Sequence, residues 1–164
     1  MPIKVKPQNL NFLNKAFTFD SFVESKSNQL AKTASIQVSE NLGTRFNPLF
    51  IFSSAELGKT HLMHAIANAE IEKKPTTNIV YQNSEALVKE IEHAIQHNTI
   101  ADLKNYYQNV ELLLIDEFQY FANKPDAQYF FLQLLQHSLD NHHQVVITCN
   151  TYPKEIKNLN EQLR

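Results

Sequence analysis

The residues best suited to chemistry fall in two short stretches. SSAELGKT at 53–60 closes on Gly58-Lys59-Thr60, and LLLIDE at 112–117 closes on Asp116-Glu117. The first approaches G-x-x-x-x-G-K-[ST], in which backbone N–H groups at a helix N-terminus hold phosphates, the lysine neutralises charge and the hydroxyl binds magnesium. The second supplies two adjacent carboxylates after an apolar run. Asp116 is expected to orient magnesium through water, and Glu117 to polarise a hydrolytic water. Together they describe a magnesium-nucleotide site with Thr60 and Asp116 on the metal and Lys59 on phosphate.

The loop departs from the strict pattern. Ser53 stands where the first glycine belongs, and Glu56 places a negative charge in a loop meant to receive phosphate. At ~5 Å and an effective dielectric of ~20, one such like-charge pair costs about 3 kcal/mol before solvent screening reduces it. Weakened nucleotide binding is the expectation. Asn150 ends a later apolar run, where it reads either as a polar sensor of the terminal phosphate or as a turn former. His61 and His64 lie one helical turn apart without a third ligand at matching spacing, so a metal site of their own is not assigned. The aromatic residues between Tyr106 and Phe131 lack interleaved basic residues and read as core rather than as a base-stacking platform.

These residues need a scaffold that alternates strand and helix, and the apolar patterning supplies one. Strands are expected at 48–52, 78–82, 110–118 and 144–150. Helices are expected at 27–41, 59–71, 84–98, 100–107 and 126–140. The continuous apolar centre of VELLLIDEF suits a parallel strand buried on both faces. The order predicts a three-layer α/β domain with a parallel sheet. Residues 1–15 mix Lys, Pro and Asn without periodicity and read as an arm or linker, leaving 16–164 as the core domain.

Composition narrows the remaining classes. With 164 residues, 43% hydrophobic and 20% charged, the chain is that of one globular domain rather than a disordered or fibrous one. Fifteen basic against 17 acidic residues give a formal charge of -2, so no global positive field draws it to nucleic acid or anionic lipid. Arg45 and Arg164 are its only arginines, which limits bidentate phosphate clamps. Cys149 alone excludes an internal disulfide, and neither a signal peptide nor a membrane segment is evident, so a cytoplasmic location is expected.

With these residues in view, the chain resembles the AAA+ domain of the bacterial replication initiator family DnaA, which includes the related regulator Hda. FTFDSFVESKSNQLA at 17–31, FNPLFIF at 46–52, GKTHLMHAIAN at 58–68, NVELLLIDEFQYFANK at 109–124 and YPKEI at 152–156 carry the resemblance in one order. It implies a P-loop NTPase core that binds ATP or ADP with Mg2+. By the same resemblance the N-terminal segment lies over the adenine, making Phe19, Phe22, Val23 and Asn28 contributors to a base pocket, and His61 follows Thr60 on the nucleotide side. Against the family's GG-x-G-L-GKT loop, glycines are replaced by Ser53, Ser54 and Glu56.

The resemblance further implies partners: full-length DnaA or self-association through AAA+ surfaces, and the replicative helicase. In the family, single-stranded DNA is contacted from the region matching about 84–107. Here Glu90, Glu92 and Asp102 accompany Lys89 and Lys104, so weak DNA binding at most is expected. The resemblance runs out at Arg164, ahead of the family's interfacial arginine finger, helical lid and duplex-binding domain. Hydrolysis is therefore expected to be slow if it occurs, and enzymatic activity stays open. Three readings stand beside one another: an ATP-binding replication protein, a non-enzymatic Hda-like or helicase-loader-like regulator docking on the intact initiator, and an inactive remnant.

Overall fold

A computed structural model describes residues 10–53 and 58–163. Its centre is a four-stranded, all-parallel sheet in the order β1-β4-β3-β2, formed by β1 (Leu49–Phe52), β2 (Ile79–Asn83), β3 (Leu112–Asp116) and β4 (Gln144–Cys149). The helices are α1 (Gln29–Glu40), α2 (Lys59–Lys73), α3 (Ser84–Gln96), α4 (Ile100–Gln108) and α5 (Pro125–Asp140).

The alternation of side chains along β3 explains the three layers. Leu112 and Leu114 join Leu49, Ile51, Val146, Leu62, Met63 and Ile66 in a core under α1 and α2. Leu113 and Ile115 enter a second core with Leu87, Ile91, Phe131, Leu134, Val145 and Ile147, under α3 and α5. Every residue of β3 and β4 is buried. Each such large apolar side chain contributes about 1.5–3 kcal/mol on burial, so the two central strands are fixed from both sides.

All nine expected elements form, with shifted ends. β3 stops at Asp116 because Glu117 turns left-handed (φ 63°) and Phe118–Phe121 winds into a 3-10 turn. In α1, Leu30 is 83% exposed, whereas Ser35 and Ser39 face inward with Val38. Their hydroxyls remain satisfied by donating to the carbonyls of Ala31 and Ile36, both at 2.7 Å, which lets serine serve on a helix's packed face. Of the aromatic run, Tyr107, Phe118, Phe121, Phe130 and Phe131 are core, while Tyr120 and Tyr129 remain exposed.

The link from α1 to β1 is pinned on the start of β4. Gln144, fully buried, accepts from the Gly43 N–H at 2.9 Å and donates to the Phe46 carbonyl at 3.1 Å. Gly43 has φ +78°, and a Cβ there would lie 1.8 Å from the His142 carbonyl oxygen. Residues 10–15 do not stand off from the domain: Phe12 stacks on Tyr81 at 5.0 Å, and His64 Nδ1 accepts from the Asn14 N–H at 3.0 Å. No helix among the described residues is long and apolar enough to cross a membrane.

Candidate nucleotide site

The chemistry-bearing residues collect at the C-terminal edge of the parallel sheet, where β1 gives way to the loop before α2, β3 ends in Asp116 and β4 ends before Asn150. In open parallel sheets this edge is where ligands bind. Glu56 lies outside the described residues, as do Ser54, Ala55 and Leu57.

Gly58 caps α2 in a left-handed conformation, φ 81° and ψ 27°. The first backbone bond within the helix runs from Leu62 N–H to the Gly58 carbonyl at 2.9 Å. The amides ahead of it are those an anion at a helix N-terminus would engage. Lys59 Nζ reaches back across the loop to Ser53, donating to its hydroxyl at 3.1 Å and its carbonyl at 3.3 Å. Ser53, which the motif comparison counts only as a lost glycine, thus holds the lysine at the end of β1. The Thr60 side chain is on the exposed side of the first turn.

The carboxylate half is more deeply built. Asp116 is 6% exposed, and its two oxygens accept from the Tyr81 hydroxyl at 2.8 Å and from the Thr148 hydroxyl. Burial, reinforced by the Asp116 charge, raises the Tyr81 phenol well above its ordinary value near 10, so it remains a donor. Among the described residues no lysine or arginine forms an ion pair with Asp116. Among the described residues the Asp116 oxygens meet neutral hydroxyls, a setting into which a magnesium ion at the mouth of the site would fit. Glu117 has its N–H on Thr148 Oγ1 at 3.2 Å, so one fully buried threonine anchors both acids. Its left-handed backbone is a local strain of the kind that accumulates at functional positions. Asn150 is exposed at the end of β4.

The N-terminal segment meets the loop at one point. A Cβ on Gly58 would lie 2.6 Å from Phe22 Cε2, so the Phe22 ring occupies the space a side chain would need. Phe22 also meets His61 edge-on at 5.1 Å, and Phe17 stacks on the same imidazole at 4.7 Å. His61 Nε2–H donates to the Thr18 carbonyl at 2.7 Å, clamping this segment onto α2. Asn28 is buried and works on its own segment, accepting from Ser25 N–H at 2.8 Å and donating to the Val23 carbonyl at 3.1 Å. The Val23 side chain is 84% exposed, and Phe19 packs partly buried on the α1–α2 core. His64 is held below the ordinary histidine range chiefly by burial, which suits its role as a neutral acceptor for Asn14. Among the described residues no three His, Cys, Asp or Glu side chains gather into a separate metal cluster.

Tyr81, Thr148 and Ser53 were not legible as site residues, because each acts through a partner on a different strand or across the loop. The signal that was available is positional: Thr148 sits two residues before Asn150 on the strand flanking β3.

A parallel sheet with Gly58-Lys59-Thr60 following one strand and paired acids ending another, with a polar residue closing the strand between them, has the P-loop NTPase core fold of the AAA+ class. The sequence pattern of the bacterial DnaA ATPase domain matches residues 13–164, and the chain belongs to that family. It is similar to AMPPCP-bound DnaA from Aquifex aeolicus, with 28% identity and a TM-score of 0.85 over 93% of this chain and 47% of that one. Domain III of the Thermotoga maritima replication initiation protein DnaA matches at 29% identity and TM-score 0.87, covering 92% of this chain and 63% of the other. The DnaC helicase loader shares the fold at 18% identity and TM-score 0.69, over 82% of this chain and 77% of its own. The chain spans about half the length of the Aquifex protein.

Proposed function

We propose that this domain binds ATP or ADP with Mg2+ in a replication-associated AAA+ protein, at an affinity below that of a glycine-rich phosphate loop. The observation that carries the reading is the common placement of Gly58-Lys59-Thr60 and Asp116-Glu117 at one edge of one parallel sheet. Lys59 would exchange Ser53 for phosphate, Thr60 and Asp116 would hold magnesium, and Phe22 would close the pocket beside Gly58, with Val23 at its rim and Asn28 setting the shape of that segment. The nucleotide supplies the phosphoanhydride and the ion the charge neutralisation. Glu117 would polarise water and Asn150 would sense the terminal phosphate. The AMPPCP bound by the Aquifex relative supports the ligand class.

Fluorescent ATP and ADP titrated in magnesium test this directly. Saturable binding is expected, and Lys59→Ala should weaken it by about tenfold or more, since a charge-assisted phosphate contact contributes about 1.5–3 kcal/mol. Absence of binding to the wild type at millimolar nucleotide would overturn the reading.

A second reading, docking on an intact initiator in the cytoplasm, is favoured by the surface beside β1. That strand is an edge of the sheet, and next to it a cleft of about 350 Å3 is lined by Phe50, Phe52, Phe118, Phe131, Leu135 and Tyr152 among others. Phe52 and Tyr152 are 44% and 40% exposed. Direct action on DNA is less favoured: Lys89 pairs with Glu85 at 3.5 Å and Lys124 with Glu92 at 3.3 Å, leaving fewer cations for phosphates. Pull-down against the full-length initiator, with and without nucleotide, should recover a complex; none in either condition would exclude docking.

A further inference from the structure

The turn after β3 carries one side chain that reaches both positions assigned to water activation and phosphate sensing. Gln119 Nε2 donates to Glu117 Oε2 at 2.5 Å, and Gln119 Oε1 accepts from the Asn150 N–H at 3.4 Å. A primary amide suits both contacts, because it carries donor hydrogens and an acceptor oxygen on separate atoms of one planar group. Glu117 needs such an anchor. It is half-buried at the left-handed end of β3 and its N–H is tied to Thr148, while among the described residues its flexible side chain accepts a hydrogen bond from Gln119.

We infer that Gln119 is the positioning residue of Glu117, linking its carboxylate to the end of β4 so that Glu117 and the Asn150 turn keep one mutual arrangement. The inference rests on the proposed reading of Glu117 as the group that polarises water. Thr148 already joins the two strand ends through backbone and carboxylate, and Gln119 extends that junction from the buried side to the solvent side. Movement of Asn150 toward a bound terminal phosphate would therefore draw on the same amide that sets the Glu117 rotamer. A glutamate at 119 would fail in this role, since it repels Glu117 and, when ionised, keeps only the accepting half of the contact.

Two measurements on the full chain test the link. In 15N-labelled protein without nucleotide, Glu117→Ala should shift the Asn150 backbone amide resonance, and the shift should vanish when the same substitution is made in a Gln119→Ala background. In single-turnover hydrolysis of magnesium ATP, Gln119→Ala and Gln119→Glu should each slow the chemical step by about tenfold or more while nucleotide affinity stays within about twofold. A residue that merely braced the turn would lower affinity and rate together, or neither. Equal Asn150 shifts in both backgrounds would overturn the inference, as would wild-type hydrolysis by Gln119→Ala. Should the wild type bind no nucleotide, the proposed function falls, and the amide measurement still decides for or against the Gln119 link.

Discussion

The acids at the end of β3 and the loop between β1 and α2 are the two halves of one candidate site, yet they are supported in different ways. Asp116 is buried between two fully packed strands and satisfied by hydroxyls from β2 and β4. The loop half rests on Gly58 packed against Phe22 and on Lys59 folded onto Ser53. The acid half is thus part of what holds the domain together, while the lysine half is set by contacts a ligand could replace. Substitutions in the loop half are therefore expected to act on nucleotide affinity while leaving the packed acid half and the fold in place.

The sharpest way to break this contrast is to remove a hydroxyl from each half. Thr148→Val should lower stability by about 2–3 kcal/mol in urea unfolding, because it strips a donor from buried Asp116 and an acceptor from the Glu117 N–H. Thr60→Val, on an exposed position, should leave stability within about 0.5 kcal/mol while reducing the magnesium dependence of nucleotide binding. Equal effects on stability would remove the distinction. Next in size, Gly58→Ala should cost about 1–2 kcal/mol, since it combines a left-handed backbone with a Cβ 2.6 Å from Phe22. Thermal melting alongside Phe22→Ala checks the source: the double variant should recover the steric part and keep the backbone part.

Glu56→Gly is expected to raise nucleotide affinity by several-fold, with the unscreened repulsion of about 3 kcal/mol as a ceiling. Unchanged affinity would mean that the charge faces water. The smallest effect concerns His64, whose folded-state pKa lies below the ordinary 6.5 because burial disfavours its charged form. The unfolded chain then binds more protons below about pH 6.5, so stability falls as pH drops through that window. His64→Gln should flatten this acid limb in urea titrations at pH 5 and 7, and an identical slope in both proteins would assign the limb to other groups.

Much of this was readable along the chain. The apolar centre of LLLID, buried on both faces, and the strand-loop-helix order around Gly58-Lys59-Thr60 are local patterns, and local patterns survive without knowledge of what packs on them. Element ends were less legible. The stop of β3 at Asp116 depends on the left-handed Glu117, and the buried face of α1 carries Ser35 and Ser39 in place of the exposed Leu30, because hydroxyls can be satisfied within the helix.

The sequence by itself therefore determined the parallel α/β architecture, the family, and which residues are chemically able to meet a nucleotide. Tertiary structure decided how those residues are held: Thr148 under both acids, Tyr81 on Asp116, Ser53 on Lys59, Phe22 in the space above Gly58 and Gln119 between Glu117 and Asn150. The physical reason is separation along the chain. Helix and strand periodicities act over a few residues, whereas most of these contacts join segments brought together only when the sheet assembles, and no spacing rule connects their two ends.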